Sequence, residues 1–136
     1  MLCLLLCRRK DYKVSEEISK LPPQVQERLL RLQQLQQTLQ SVLAQKQQVE
    51  MEQTEVEQTL TELQKTADDA VIYKSIGALL VKAEKAKVTE ELDERKELLT
   101  TRSTVLARQE ERLRSQVKEL QTKLQADLSP VSPPSP

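Results

Sequence analysis

The chain has 136 residues, 38% of them apolar but only 1% aromatic, with two Tyr and no Trp, Phe or His. A compact core built around large rings is excluded, and the dominance of Leu, Val, Gln, Glu, Lys and Arg is the composition of long helices. Basic and acidic residues balance at 21 each, which removes the electrostatic basis for nucleic acid or an anionic membrane as the partner.

The N-terminus opens on an apolar run of seven residues, Met1 to Cys7. As helix it would cover about 10 Å, against a hydrocarbon core of about 30 Å, so it does not span a bilayer. The basic cluster Arg8, Arg9 and Lys10 follows the run, the reverse of a secretory signal, and a cytoplasmic protein is expected. Cys3 and Cys7 are the only cysteines, and without His they do not make a zinc site. Residues 1–20 are read as a flexible N-terminal extension, because patterned sequence starts near Leu21.

The first arm is assigned to residues 21–66. From Val25, alternating steps of three and four select Val25, Arg28, Leu32, Leu35, Leu39, Val42, Lys46, Val49, Gln53, Val56, Leu60 and Leu63. Nine of these twelve are apolar, and a seam sustained over that length is a coiled-coil signal. "LPPQ" supplies the helix start, since proline is tolerated in the first turn. "KTADDA" ends the arm near Lys65.

Residues 67–84 contain "AVIYKSIGALLVKA" and the only glycine. The stretch is rich in β-branched residues of strand length, with strands expected at Val71–Ile76 and Leu79–Ala83. Continuation as helix is the competing reading, which "GALLVKAEKA" by itself would permit.

The second arm is assigned to 85–128, starting between Lys85 and Thr89, with Glu90 and Glu91 suited to the positive end of a helix dipole. Leu92, Leu99, Leu106, Leu113 and Leu120 recur every seven residues, with Arg95, Arg102, Gln109, Gln116 and Lys123 expected as their seam companions. The Ser/Pro-rich residues 129–136 read as a disordered tail.

Antiparallel pairing that sets Leu63 opposite Leu92, Val56 opposite Leu99 and Val49 opposite Leu106 also sets Ile76 opposite Leu79. Gly77 and Ala78 are then a two-residue loop with glycine first, the requirement of a type II′ turn. Layers such as Gln53 with Arg102 are polar in this register, so the seam is expected to be thin, and leucine at both positions to tighten it. A lone two-stranded hairpin is marginal in water, so hairpins of several chains are expected to join in a shared sheet or barrel. The fold class expected is mainly α: a long antiparallel two-helix coiled coil whose central β-hairpin assembles into an intersubunit β-barrel platform.

"LPPQVQ" at Leu21, "DDAVIYKSIGALLVKA" at Asp68 and "LARQEERL" at Leu106 resemble the β subunits of archaeal prefoldins. The resemblance implies an ATP-independent chaperone without a cofactor, a hexamer of two α and four β subunits, unfolded polypeptides as clients held at the distal coiled-coil ends, and a group II chaperonin as recipient. It implies subunit assembly through Val71, Ile72, Tyr73, Ile76, Gly77, Leu79, Leu80 and Val81. Client-binding candidates at the distal ends are Val25, Leu29, Leu30, Leu32, Leu120, Leu124 and Leu128. Leu29, Leu30 and Leu124 fall outside the expected seam and are the preferred contacts.

An enzyme is disfavoured, because no His is present as a general base and a single glycine cannot build a phosphate-cradling loop. Asp68 and Asp69 read as helix termination. The alternative from another class is a structural coiled-coil scaffold or tether without chaperone activity, which would not need the hairpin.

Overall fold

The structure, a computed structural model, describes residues 20–129. The segment before Lys20, with Cys3 and Cys7, and the tail after Ser129 lie outside the described residues. Four elements follow one another: helix α1 (Pro23–Lys65), strands β1 (Ile72–Ile76) and β2 (Leu79–Ala83), and helix α2 (Lys85–Leu128). Strand β1 starts one residue later than expected, leaving Val71 in the approach to the sheet.

Local chemistry explains the ends. Pro23 occupies the first helical position, where a missing N–H costs nothing, and the carbonyl of Pro22 accepts from the amides of Val25 and Gln26 at 3.0 and 3.1 Å. At the other end of α1, Thr66 donates its amide to Leu63 O at 3.1 Å and its hydroxyl to Glu62 O at 2.8 Å. Helix α2 starts with the carbonyl of Glu84 accepting from the amide of Val88 at 3.0 Å. Its first turn carries no acidic residue. Glu90 and Glu91 therefore sit too far along to serve the helix dipole, whose influence fades within the first turn; Glu91 instead pairs with Lys74 of β1.

The described chain divides into two compact units. A hairpin unit comprises Gln40–Glu111 and a terminal unit comprises the described residues up to Leu39 together with those from Arg112. In the hairpin unit, Val42, Val49, Val56 and Leu63 of α1 and Leu99 and Leu106 of α2 are buried, with Val49 at 0% and Leu99 at 2% exposure. Burial of valine and leucine at heptad spacing on both antiparallel helices is the apolar driving force of the unit.

The seam of α1 is as read from the sequence: every one of the twelve residues from Val25 to Leu63 is buried or half-buried. The seam of α2 differs. Arg95, Arg102, Gln109, Gln116 and Lys123 are all exposed, whereas Ser103, Glu110 and Val117 are half-buried and Leu124 is buried. The companions of Leu99, Leu106, Leu113 and Leu120 thus lie four residues after them, not three. A leucine every seven residues fixes one seam position but permits a partner on either side of it, and packing against α1 selects the +4 side. Lys46 reports the same offset, since its ammonium meets Glu110 at 3.0 Å with both side chains largely covered. Carried one heptad along, that pairing sets Gln53 against Ser103.

In the terminal unit the offset sets Leu39 against Val117 and Leu32 against Leu124. Val25, Leu35 and Leu124 are buried there, and Leu32, Leu39, Leu113, Val117 and Leu120 are half-buried. Its seam is therefore apolar from Leu32 to Leu39, with Arg28 as its polar position, and the polar layers at Lys46 and Gln53 fall in the hairpin unit. Arg28 completes the terminal unit by an ion pair with Asp127 across the two helices.

Leucine at both Gln53 and Ser103 is expected to stabilise the chain by about 1–2 kcal/mol, as a half-buried polar layer becomes apolar. Arg102→Leu, on the exposed face, is expected to change stability by no more than about 0.5 kcal/mol. Denaturant unfolding of the two variants against the parent checks both.

Candidate assembly and client-binding surfaces

Strands β1 and β2 pair antiparallel in the register Ile72↔Ala83, Tyr73↔Lys82, Lys74↔Val81, Ser75↔Leu80 and Ile76↔Leu79. The two-residue turn is Gly77–Ala78. Gly77 has φ of +58°, and no other described residue has positive φ, the pattern of a type II′ turn. A side chain at this position would meet no atom within 4 Å, so glycine is required by the backbone alone.

One face of the hairpin carries Ile72, Lys74, Ile76, Leu79, Val81 and Ala83, and the other Tyr73, Ser75, Leu80 and Lys82, as cross-strand pairing demands. Six of the eleven large apolar side chains left exposed among the described residues cluster here: Val71, Tyr73, Ile76, Leu79, Leu80 and Val81. Leu80 is 72% exposed. Both strands are also sheet edges with unpaired backbone groups. An exposed apolar surface of this kind marks a site of interaction.

The base of the hairpin is held by charge. Lys85, at the first position of α2, donates to Thr66 O at 2.6 Å and to Asp68 Oδ1 at 3.1 Å. It thus ties the end of α1 and the loop entering β1 to the start of α2. Asp68 has a structural partner, in keeping with its reading as part of the helix stop. Lys74 on β1 pairs with Glu91 of α2 and anchors one hairpin face to that helix.

Charges on the helix flanks add a second kind of lock. Arg95 donates to Glu52 at 2.6 Å, and this bond, with a lesser one from Gln48, holds the Glu52 carboxyl below its ordinary value of 4.5. Arg95 therefore braces the seam from outside instead of lying in it. Within one helix turn Lys123 lowers the Glu119 carboxyl in the same way, at 2.8 Å.

The terminal unit carries an apolar groove of about 510 Å³, lined by Leu29, Leu32, Leu124 and Leu128 with Gln121, Gln125 and Ser129. The structure thus brings four of the seven client-binding candidates to one place. The others separate: Val25 is buried in packing, Leu30 is exposed outside the groove, and Leu120 lies beside Leu35 and Arg31 in another depression. Leu124, expected outside the seam, is 5% exposed and forms part of it. Its neighbours Leu29 and Leu128 remain accessible. The groove was hard to see in the sequence because it combines one seam face of α1 with the +4 companions on α2.

Two antiparallel helices joined by a bare β-hairpin define a class of assembling coiled-coil subunits. Over residues 26–129 the sequence matches the family of prefoldin subunits. Prefoldin subunit beta of Archaeoglobus fulgidus is 50% identical over 113 residues, 83% of this chain and 97% of that protein. Prefoldin subunit beta of Methanothrix thermoacetophila is 45% identical over 114 residues, 84% and 95% of the two chains. The crystal structure of the prefoldin beta subunit from Thermococcus strain KS-1 superimposes with a TM-score of 0.73 at 46% identity, covering 80% of this chain and 96% of that one. The chain belongs to the prefoldin subunit family, whose members are chaperone components. The relatives it matches over almost their whole length are β subunits.

Gly77→Ala is expected to cost about 1–2 kcal/mol, the penalty of left-handed backbone for an L side chain, and Gly77→Asn less than Gly77→Val. Amide exchange at Ile76 and Leu79 measures the loss. Because the Glu52 carboxyl titrates below 4.5 in the folded chain, its bond to Arg95 stabilises at neutral pH and is lost as pH falls through that range. Glu52→Gln is expected to remove this part of the acid limb, read by thermal unfolding between pH 6 and 3.

Proposed function

We propose that the chain is the β-type subunit of an ATP-independent chaperone, gathering with α subunits in a hexamer of two α and four β chains through a β-barrel platform built from the hairpins. In this reading the terminal unit holds unfolded polypeptides in the cytoplasm and passes them to a group II chaperonin. The observation that carries it is the hairpin: six large apolar side chains and two free sheet edges on one short element need partners of their own kind. The groove of Leu29, Leu32, Leu124 and Leu128 supports the client role. Apolar contacts that are individually weak suit clients that share exposed hydrophobic surface but no common sequence. Family membership supports both halves of the reading.

The test separates assembly from holding. The chain is mixed with an archaeal prefoldin α subunit, its mass is followed by light scattering, and the aggregation of a chemically denatured client is recorded. Leu79→Asp with Leu80→Asp is expected to leave the helices folded and abolish the hexamer. Leu29→Ser with Leu128→Ser is expected to leave the hexamer intact and weaken client holding on the order of tenfold, from two lost apolar contacts. Two-stranded dimers that leave client aggregation unchanged would instead identify a structural tether.

A further inference from the structure

The groove of the terminal unit has a candidate occupant within the same chain. Of its leucines Leu128 is exposed, Leu29 and Leu32 are half-buried and Leu124 is buried. The residues that precede the described chain include Met1, Leu2, Leu4, Leu5 and Leu6, the longest apolar run in the sequence. They enter α1 at Pro23, in the unit that holds the groove. The aligned β subunits are covered over 95–97% of their length by only 83–84% of this chain, and the family match begins at residue 26. The leading segment is thus extra to what family membership accounts for.

The tether has the right length. Twelve residues separate Cys7 from Lys20, with a full reach of about 40 Å and a root-mean-square span on the order of 20 Å as coil. Leu29 and Leu32 lie about 9 and 14 Å along α1 from Pro23. A short tether that comfortably exceeds its target distance gives an effective concentration on the order of millimolar. The other chain end is a poorer filler: Ser129 borders the groove, but the residues beyond it are Pro and Ser apart from Val131.

We propose that the apolar segment Met1–Cys7 docks in its own chain's groove formed by Leu29, Leu32, Leu124 and Leu128, and competes there with incoming polypeptide. Docking is independent of the chaperone reading; competition rests on it. Clients compete with the segment for the same apolar contacts, so a weak, tethered competitor lowers their apparent affinity. For a segment affinity between about 0.1 and 1 mM, removing it strengthens client binding roughly two- to tenfold.

Cys3 and Cys7 are the only thiols, so the segment can be labelled without other changes to the chain. A nitroxide on Cys3 of the Cys7→Ser full chain is expected to broaden the methyl signals of Leu29, Leu32, Leu124 and Leu128. Leu4→Ser, Leu5→Ser and Leu6→Ser together are expected to abolish the broadening. The same triple variant is expected to bind a reduced, carboxymethylated, permanently unfolded protein two- to tenfold more tightly. Broadening confined to Leu79 and Leu80, or seen only when labelled and isotope-enriched chains are mixed, would overturn docking in cis, as would groove signals that respond to Val131→Ser and not to the triple variant. Equal or weaker client binding by the triple variant would overturn competition. If neither protein binds the client while the broadening persists, the chaperone reading fails and the docking stands.

Discussion

The left-handed backbone at Gly77 is the constraint from which the rest of the fold descends. A two-residue turn leaves Ile76 and Leu79 no choice but to face each other. The antiparallel ladder then runs to Ile72 and Ala83, and the chain leaves both strands with its register set. From there Lys85 clips the end of α1 to the start of α2 through Thr66 and Asp68. The turn register and the helix packing of the hairpin unit thus agree on one alignment.

Downstream of that alignment, polar groups select and apolar groups stabilise. Lys46 with Glu110, and Gln53 set against Ser103, interrupt the seam of the hairpin unit. A largely covered ion pair contributes little net energy because both charges lose water. It does penalise any slipped register, in which each charge would be covered without its partner. Arg95 and Glu52 reinforce the same alignment from the flank. In the terminal unit the seam residues Leu32, Leu35 and Leu39 are apolar and Arg28 is polar, paired with Asp127; the apolar contacts there line a groove.

Exposure is distributed to match these roles. The hairpin shows apolar side chains on two faces and backbone donors and acceptors on two edges, a surface directed at other strands. The groove shows side chains alone, with the backbone of both helices satisfied internally, a surface suited to shape-tolerant apolar contact. The proposed assembly and the proposed client capture thereby rest on different chemistry. Tyr73, Leu79 and Leu80 cannot be exchanged for Leu29 and Leu128 merely because all are exposed.

The amino-acid sequence by itself determined the two helices, the hairpin and the turn at Gly77 and Ala78, because heptad spacing, β-branched residues and one glycine are local signals. It also determined the α1 seam, since Val25 to Leu63 alternate steps of three and four without a competing stripe. The α2 seam was decided only by tertiary structure. Heptad leucines from Leu92 to Leu120 are compatible with Arg102 or Ser103 as the inward companion, and contact with α1 turns Ser103, Glu110, Val117 and Leu124 inward. That choice placed Leu124 in the packing, set Leu39 against Val117 instead of Gln116 and drew Leu29, Leu32 and Leu128 into a single groove with Leu124. Periodicity names the residues of a stripe; which side of the stripe faces inward is settled by the surface it packs against.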